Sequence, residues 1–192
     1  MATNLREIYQ LKIQLMGIRP PIWRRFHVLD STPLDEFHII CQIVMGWTNS
    51  HLHQFIKDKT RYGMIDPDFN MGWDDELENE DEYTLKDLLS YEKDQLIYEY
   101  DFGDGWEHKI TLEKILPFSV DQNLPVCIKG VRGCPPEDVG GTWGYEEFLE
   151  AWLNESHPEH KEMKEWAGDY FHPEDYELEE TNQCLIDVLK SA

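Results

Sequence analysis

Within residues 8–16, the apolar Tyr9, Leu11, Ile13 and Leu15 alternate with the polar Gln10, Lys12 and Gln14, and no other feature constrains the fold of this chain so closely. A period of two residues is typical of a β-strand with one face in a core and the other in solvent. Residues 17–21 interrupt the pattern with one glycine and two prolines, and residues 22–28 then alternate again. Two alternating segments joined by a short turn predict an antiparallel hairpin at the start of the fold.

The rest of the chain is predicted to add strands first and helices later. A helix begins after Ser31-Thr32-Pro33, a favourable start sequence, and ends at Gly46. Further strands are predicted over residues 51–56, 95–101 and 106–115, and further helices after Thr84 and over residues 145–153, 158–166 and 179–190. Residues 116–142 are predicted to be rich in loops, because they contain four prolines and four glycines. Strands followed by helices predict an α+β fold, a single domain over residues 1–192 with a mostly antiparallel sheet of hairpins packed against several helices.

Charge and cysteine content restrict the partners and the compartment. The formal net charge of -22 is uneven: residues 1–62 carry eight basic and five acidic side chains, and residues 63–192 carry nine and 34. Nucleic-acid binding rests on basic side chains, so a protein or small ligand is the more expected partner. With no membrane-spanning apolar run, no signal-like start and four cysteines without C-x-x-C spacing, we expect a cytoplasmic protein with reduced thiols. The oligomeric state is not predicted.

An acidic run occupies residues 74–82, where seven of nine side chains are carboxylates. Like charges at this density repel one another and resist burial, so the run predicts a solvated loop within one domain. A cation site is the alternative, but the run lacks the glycine and the ligand spacing of a calcium loop.

His51 and His53 are the first candidate site. Two imidazoles two residues apart in a strand point to one face and can form a metal pair. The alternative is a polar face with hydrogen-bonded or exposed histidines.

The segment from Tyr100 to His108 is the second candidate site. It places Asp101, Asp104 and His108 around one tight turn that also contains Trp106. These side chains suit metal ligation or acid–base chemistry. The alternative is turn chemistry, in which aspartate bonds to its own backbone and glycine permits the bend.

The loop over residues 133–141 is the third candidate site. Glu137 and Asp138 can complete a metal site, or the loop can serve only to seat the next helix. The neighbouring acids disfavour Cys134 as a nucleophile, since they raise the pKa of a thiol. On the second strand, Arg24 and Arg25 point to opposite faces, and Arg24 contacts either an anionic ligand or an acidic side chain.

Four ordered motifs resemble the plasmid pRiA4b ORF-3-like family, some members of which carry a transposon passenger, TnpR-type, label. The motifs are Ile18-Arg19-Pro20-Pro21-Ile22-Trp23-Arg24-Arg25, Met45-Gly46-Trp47 with Ser50-His51-Leu52-His53-Gln54-Phe55, the segment from Tyr100 to His108, and Cys134-Pro135-Pro136-Glu137-Asp138-Val139-Gly140-Gly141. The resemblance implies a single α+β domain and a link to plasmids and mobile elements. It implies no established activity. A resolvase would need an activated serine next to arginine side chains, and neither Ser31 nor Ser50 has such neighbours.

Two functional hypotheses follow. The first is a binding or accessory module with a polar cleft formed by Arg24, His51, His53, Asp101, Asp104, Trp106, His108, Glu137 and Asp138. The second is a metal-dependent hydrolase or nucleic-acid-processing enzyme whose divalent ion is bound by members of the set His51, His53, Asp101, Asp104 and His108, completed by Glu137 or Asp138. Both require the paired histidines, the Asp/Gly turn and the Pro-Pro-Glu-Asp loop to meet in space.

Overall fold

A computed structural model describes residues 6–65, 77–168 and 171–189, which form one sheet of eight strands with five α-helices. The strands are β1 (Glu7–Leu15), β2 (Trp23–Leu29), β3 (His53–Lys57), β4 (Thr60–Gly63), β5 (Leu77–Asn79), β6 (Gln95–Tyr100), β7 (Trp106–Pro117) and β8 (Val126–Val131). The helices are α1 (Leu34–Met45), α2 (Leu85–Leu88), α3 (Gly141–Leu153), α4 (His160–Ala167) and α5 (Leu178–Leu189). The sheet order is β5-β4-β3-β6-β7-β1-β2-β8, with only β4 and β5 parallel among the strand pairs of these residues. The α+β prediction is confirmed.

The predicted amino-terminal hairpin is present. β1 and β2 pair antiparallel, with Ile13 opposite Arg24 and Leu11 opposite Phe26. The alternating apolar side chains of both strands are buried, as the period of two residues predicts. The buried face of β2 therefore carries Arg24 into the interior.

Helix α1 covers the buried face of the sheet. It begins after Pro33 and ends at Gly46, whose left-handed backbone lets its N–H bond to the carbonyl of Gln42. The Phe37 ring packs between the rings of Phe26 and Phe55, with centroids 6.1 and 5.6 Å away. The core thus lies between α1 and the central strands.

The loop predicted over residues 116–142 contains a strand. β8 is an edge strand paired with β2. Its outer edge is covered by α5, where the Asn182 side chain bonds to both the N–H and the carbonyl of Cys127, at 2.8 and 2.9 Å. The prediction was wrong because β8 lacks alternation, and its pairing depends on residues distant in the chain.

The acidic run does not behave as one solvated loop. Residues 74–76 lie outside the described residues, while residues 77–79 form β5 and Glu80–Glu82 form a single 3-10 turn. Glu80 is only 4% exposed, because its carboxylate bonds to Nε2 of His53 at 2.8 Å. A partner at this distance offsets the cost of burying the carboxylate.

The fold brings three connecting segments to one end of the sheet. β3 and β6 are antiparallel neighbours, with His53 opposite Tyr100. The segment before β3, the turn between β6 and β7, and the loop before α3 therefore meet. No helix among residues 6–65, 77–168 and 171–189 has the length and apolar character needed to cross a membrane.

Candidate functional site

A cleft of about 1560 Å³ opens where these segments meet. Its lining includes the amino-terminal part of α1 and the β6–β7 turn. The polar residues that line it are Asp35, Glu36, His38, Asn49, Ser50, His51, His53, Gln54, Arg61, Glu80, Glu99 and Asp101.

Three potential metal ligands converge at this end of the sheet. Nε2 of His51 lies 3.2 Å from Oδ1 of Asp138 and 3.7 Å from Oδ2 of Asp101. The three ligand atoms lie within 4.8 Å of one another, and no other group of this kind occurs in the described residues. Nε2 of His51 is buried and makes no hydrogen bond there, so its two short contacts are not satisfied hydrogen bonds. The three side chains can share an ion.

The backbone holds both carboxylates in the left-handed region. Asp101 has a φ of 57° and Asp138 a φ of 60°, conformations that few residues other than glycine adopt. Oδ1 of Asp101 accepts hydrogen bonds from the N–H groups of Gly103 and Asp104, at 3.0 and 3.4 Å. In this turn Oδ2 of Asp101 points toward His51. Strained backbone conformations of the kind found at Asp101 and Asp138 are common at functional sites.

Asp104 and Glu137 position the surrounding loops. Oδ2 of Asp104 accepts from the N–H of Gly140 at 3.1 Å, which ties the β6–β7 turn to the loop before α3. Gly141 lies so close that an added Cβ would come 2.5 Å from the Asp104 carbonyl, so the contact requires glycine. Glu137 accepts from the Tyr100 hydroxyl at 2.5 Å and from Thr48. Burial and Glu137 raise the pKa of Tyr100, which keeps this hydroxyl a donor.

His53 belongs to a different cluster in the same cleft. Its ring stacks face to face on His38, with centroids 3.4 Å apart, while its Nε2 bonds to Glu80. His38 in turn contacts the Tyr98 hydroxyl at 2.8 Å and Oδ1 of Asn49 at 2.7 Å. Burial, and then the neighbouring His53, lower the pKa of His38 to about 4. A neutral His38 is therefore expected at neutral pH.

The predicted pairing of His51 with His53 is not found. β3 begins at His53, so His51 lies in the preceding bend and does not follow the period of a strand. His51 joins the carboxylate cluster, whereas His53 joins Glu80.

His108 and Trp106 lie in the core and not at the cleft. His108 is fully buried, with Nδ1 3.2 Å from the Tyr98 carbonyl and its ring edge-on to Trp47. Burial lowers the pKa of His108 to about 4, so the ring is expected to be neutral. Trp106 is also buried, and its ring centroid lies 6.0 Å from that of Trp47 in the aromatic core. The turn thus presents Asp101, but not His108, to the cleft.

Arg24 is also away from the cleft. It is 1% exposed, and its Nε donates to the Val44 carbonyl at 2.8 Å. Nη1 donates to the carbonyls of Trp23 and Val131, and the guanidinium lies 3.9 Å from the centre of the Tyr176 ring. Neither predicted partner of Arg24, an anionic ligand or an acidic side chain, is found. Its observed partners are backbone carbonyls and the Tyr176 ring. Nearby, burial raises the pKa of Cys134 to about 12, which agrees with the expectation that this thiol is not a nucleophile.

Sequence reasoning missed His38, Asn49 and Glu80. His38 and Gln42 are one turn apart on the buried side of α1, and both contact the Tyr98 hydroxyl. Two polar residues on the apolar side of a helix were a usable signal. No such signal marks Glu80 in the sequence, because nothing distinguishes it from the six other acidic residues of the run.

Three comparisons place this architecture among known proteins. The sequence model of a family described as plasmid pRiA4b ORF-3-like protein matches residues 7–180. An uncharacterised protein, y4hQ, of Sinorhizobium fredii (strain NBRC 101917 / NGR234) is 38% identical over 165 residues, which cover 84% of this chain and 81% of that protein. The crystal structure of a protein of unknown function from Methanosarcina mazei Go1 superposes with a TM-score of 0.81 at 35% identity, covering 92% of this chain and 98% of that one.

Proposed function

The chain belongs to the plasmid pRiA4b ORF-3-like protein family, and from that premise we propose that it is a binding module that holds a divalent metal ion beside its polar cleft. One observation carries the proposal: ligand atoms of His51, Asp101 and Asp138, from three separate segments, lie within 4.8 Å of one another. The relatives are described as uncharacterised or of unknown function, so the chemistry comes from this geometry alone.

The donor set indicates which ions to expect. One imidazole nitrogen and two carboxylate oxygens suit zinc, manganese or iron better than calcium or magnesium, which prefer oxygen donors. Two ligands about 2.1 Å from a tetrahedral ion lie roughly 3.4 Å apart. The 3.2 and 3.7 Å separations from His51 to the two carboxylates are close to that value.

Metal binding is tested by calorimetric titration of chelator-treated protein with Zn²⁺ and with Mn²⁺. We expect one ion per chain, and we expect His51→Ala to weaken binding at least 100-fold because it removes the only nitrogen donor of the set. His27→Ala is the matched control, since His27 lies on β2 and contacts Gln10. Stoichiometric binding that survives His51→Ala, or no binding by the folded parent, would contradict the proposal.

Metal-dependent hydrolysis is the second candidate function. It is favoured by the His53–Glu80 pair, because an imidazole held by a carboxylate in the same cleft is a suitable general base or acid. A divalent ion held by His51, Asp101 and Asp138 would supply an activated water.

Hydrolysis is tested with a chromogenic ester and a chromogenic phosphodiester. His51→Ala should abolish turnover and metal binding together, whereas His53→Ala should lower turnover with the metal content unchanged. Metal-loaded protein without turnover on either substrate class would favour the binding role alone.

Partners and location are part of the same proposal. The net charge of -22 supports a protein or small ligand as partner, and a cytoplasmic location and an association with mobile elements stay predictions. A salt-dependent mobility shift of DNA or RNA at low ionic strength would count against the choice of partner.

A further inference from the structure

The wall of the cleft carries charge mainly of one sign. Its described lining contains five carboxylates, from Asp35, Glu36, Glu80, Glu99 and Asp101, and one guanidinium, from Arg61. A concave surface with this excess concentrates cations and repels phosphates.

Two of these five carboxylates lie beside a histidine, and the other three form no ion pair with a basic side chain of residues 6–65, 77–168 and 171–189. Glu80 is paired with His53, and Asp101 lies beside His51. Glu99 accepts a hydrogen bond from the neutral amide of Gln54. In the part of the chain that the structure describes, Asp35 and Glu36 form no ion pair with lysine, arginine or histidine. Burial, and to a smaller extent the neighbouring Asp35, raise the pKa of Glu36.

Large apolar side chains line the same cleft and remain open to solvent. Leu52, Met64 and Phe102 are between 50% and 60% exposed. Exposed apolar side chains grouped with polar ones are typical of surfaces that bind another molecule. The cleft therefore favours a ligand with both cationic and apolar groups.

The size of the cleft favours a polymer over a small molecule. Its volume of about 1560 Å³ exceeds the roughly 300–1000 Å³ of small-molecule pockets. We infer that the cleft binds a basic segment of a partner protein, in which lysine or arginine side chains meet Asp35, Glu36 and Glu99 and apolar side chains meet Leu52 and Phe102. This inference rests on the proposed role of the cleft in binding, but it does not require the metal ion.

The inference is tested by fluorescence anisotropy with a fluorescein-labelled nine-residue peptide of alternating lysine and leucine. The double variant Asp35→Asn/Glu36→Gln removes two charges from the cleft. The matched control, Glu146→Gln/Glu150→Gln, removes two charges from exposed positions on α3, away from the cleft. We expect the cleft variant to weaken binding at least tenfold and the control to change it less than twofold.

Three further measurements separate this inference from its alternatives. A lysine–serine peptide should bind at least fivefold more weakly, because it lacks the apolar groups. Spermidine, at the same concentration of positive charge, should displace the labelled peptide at least tenfold less effectively than unlabelled lysine–leucine peptide does. Chelator-treated protein should retain peptide binding, which distinguishes this result from loss of the metal ion. The inference would be overturned by equal weakening in both double variants, by equal binding of the lysine–serine peptide, by spermidine displacing the labelled peptide as effectively as unlabelled lysine–leucine peptide, or by no binding of the lysine–leucine peptide.

Discussion

Arg24 and His51 were both predicted to face one polar cleft, yet their surroundings are opposite in character. Arg24 is buried, and its guanidinium donates to three carbonyl oxygens and lies over a tyrosine ring. His51 is partly exposed, its Nε2 has no hydrogen bond in the described residues, and its carboxylate neighbours have left-handed backbones. Polar groups satisfied within the fold serve stability, whereas unsatisfied ones beside a cleft are candidates for ligand binding.

The Arg24 environment explains how a cation is tolerated in the core. The guanidinium connects β2 with the end of α1, with β8 and with the segment before α5, through Val44, Val131 and Tyr176. Burial lowers the pKa of Arg24, but arginine keeps its charge inside proteins. Removal of the side chain would leave three carbonyls without these donors.

The largest expected effect is on stability, from Arg24→Ala. We expect the free energy of unfolding to fall by about 3 kcal/mol or more, because buried carbonyls lose their donors and the contact with Tyr176 is lost. Arg25→Ala is the control, since Arg25 lies on the opposite face of β2 and pairs with the partly exposed Glu113. Loss of that pair should cost less than about 1 kcal/mol.

Urea unfolding followed by circular dichroism measures both variants. If Arg24→Ala does not fold, Arg24→Lys is measured in its place, because lysine keeps the charge but lacks the planar guanidinium. Its free energy of unfolding should be lower than those of the parent and of Arg25→Ala, and higher than that of Arg24→Ala. Equal losses for Arg24→Ala and Arg25→Ala would remove the contrast between the two regions.

The next effect is a dependence of stability on pH, from His38 beside the cleft and His108 in the core. Both have a pKa lowered by burial from 6.5 to about 4. Below pH 6.5 both histidines bind a proton in the unfolded chain, whereas in the folded chain they stay neutral until about pH 4. Stability from this source is therefore complete above pH 6.5 and is lost as the pH falls toward 4, at up to about 1.4 kcal/mol per pH unit for each histidine.

Unfolding free energies at pH 5 and pH 7 test this dependence. His38→Gln and His108→Gln should each reduce the difference between the two pH values, whatever their effect at pH 7. His157→Gln is the control at a position outside the core. A pH difference that is the same in all four proteins would mean that neither buried ring remains neutral.

The smallest expected stability effect comes from Asp101. Asp101→Asn should change the free energy of unfolding by less than about 0.5 kcal/mol, because asparagine tolerates the left-handed backbone and can keep the turn to Gly103 and Asp104. Asp101→Ala should cost about 1 kcal/mol, because the turn is lost. Both variants should weaken Zn²⁺ binding at least tenfold.

The pair of variants separates the structural role of Asp101 from its role as a ligand. Thermal unfolding reports the first role and calorimetric titration the second. If Asp101→Asn binds Zn²⁺ as tightly as the parent does and only Asp101→Ala binds it more weakly, the Zn²⁺ affinity follows stability. Asp101 would then have a role in the turn alone.

Much of the fold was predictable because its signals are local. Alternation in β1 and β2 follows from the period of a strand, and the ends of α1 follow from Pro33 and Gly46. The convergence of the histidine segment, the Asp/Gly turn and the Pro-Pro-Glu-Asp loop was likewise expected, and the structure brings His51, Asp101 and Asp138 together.

The membership of the site was decided only by tertiary structure. His53 bonds to Glu80, 27 residues away, and Arg24 bonds to Val131, 107 residues away. β3 begins two residues after His51 and so separates it from His53. Periodicity determines which face of an element a side chain occupies, because neighbours along the chain share one geometry. The partner that it meets depends on how distant segments pack, and here that packing buries Arg24 and Glu80 and leaves His51 facing two carboxylates.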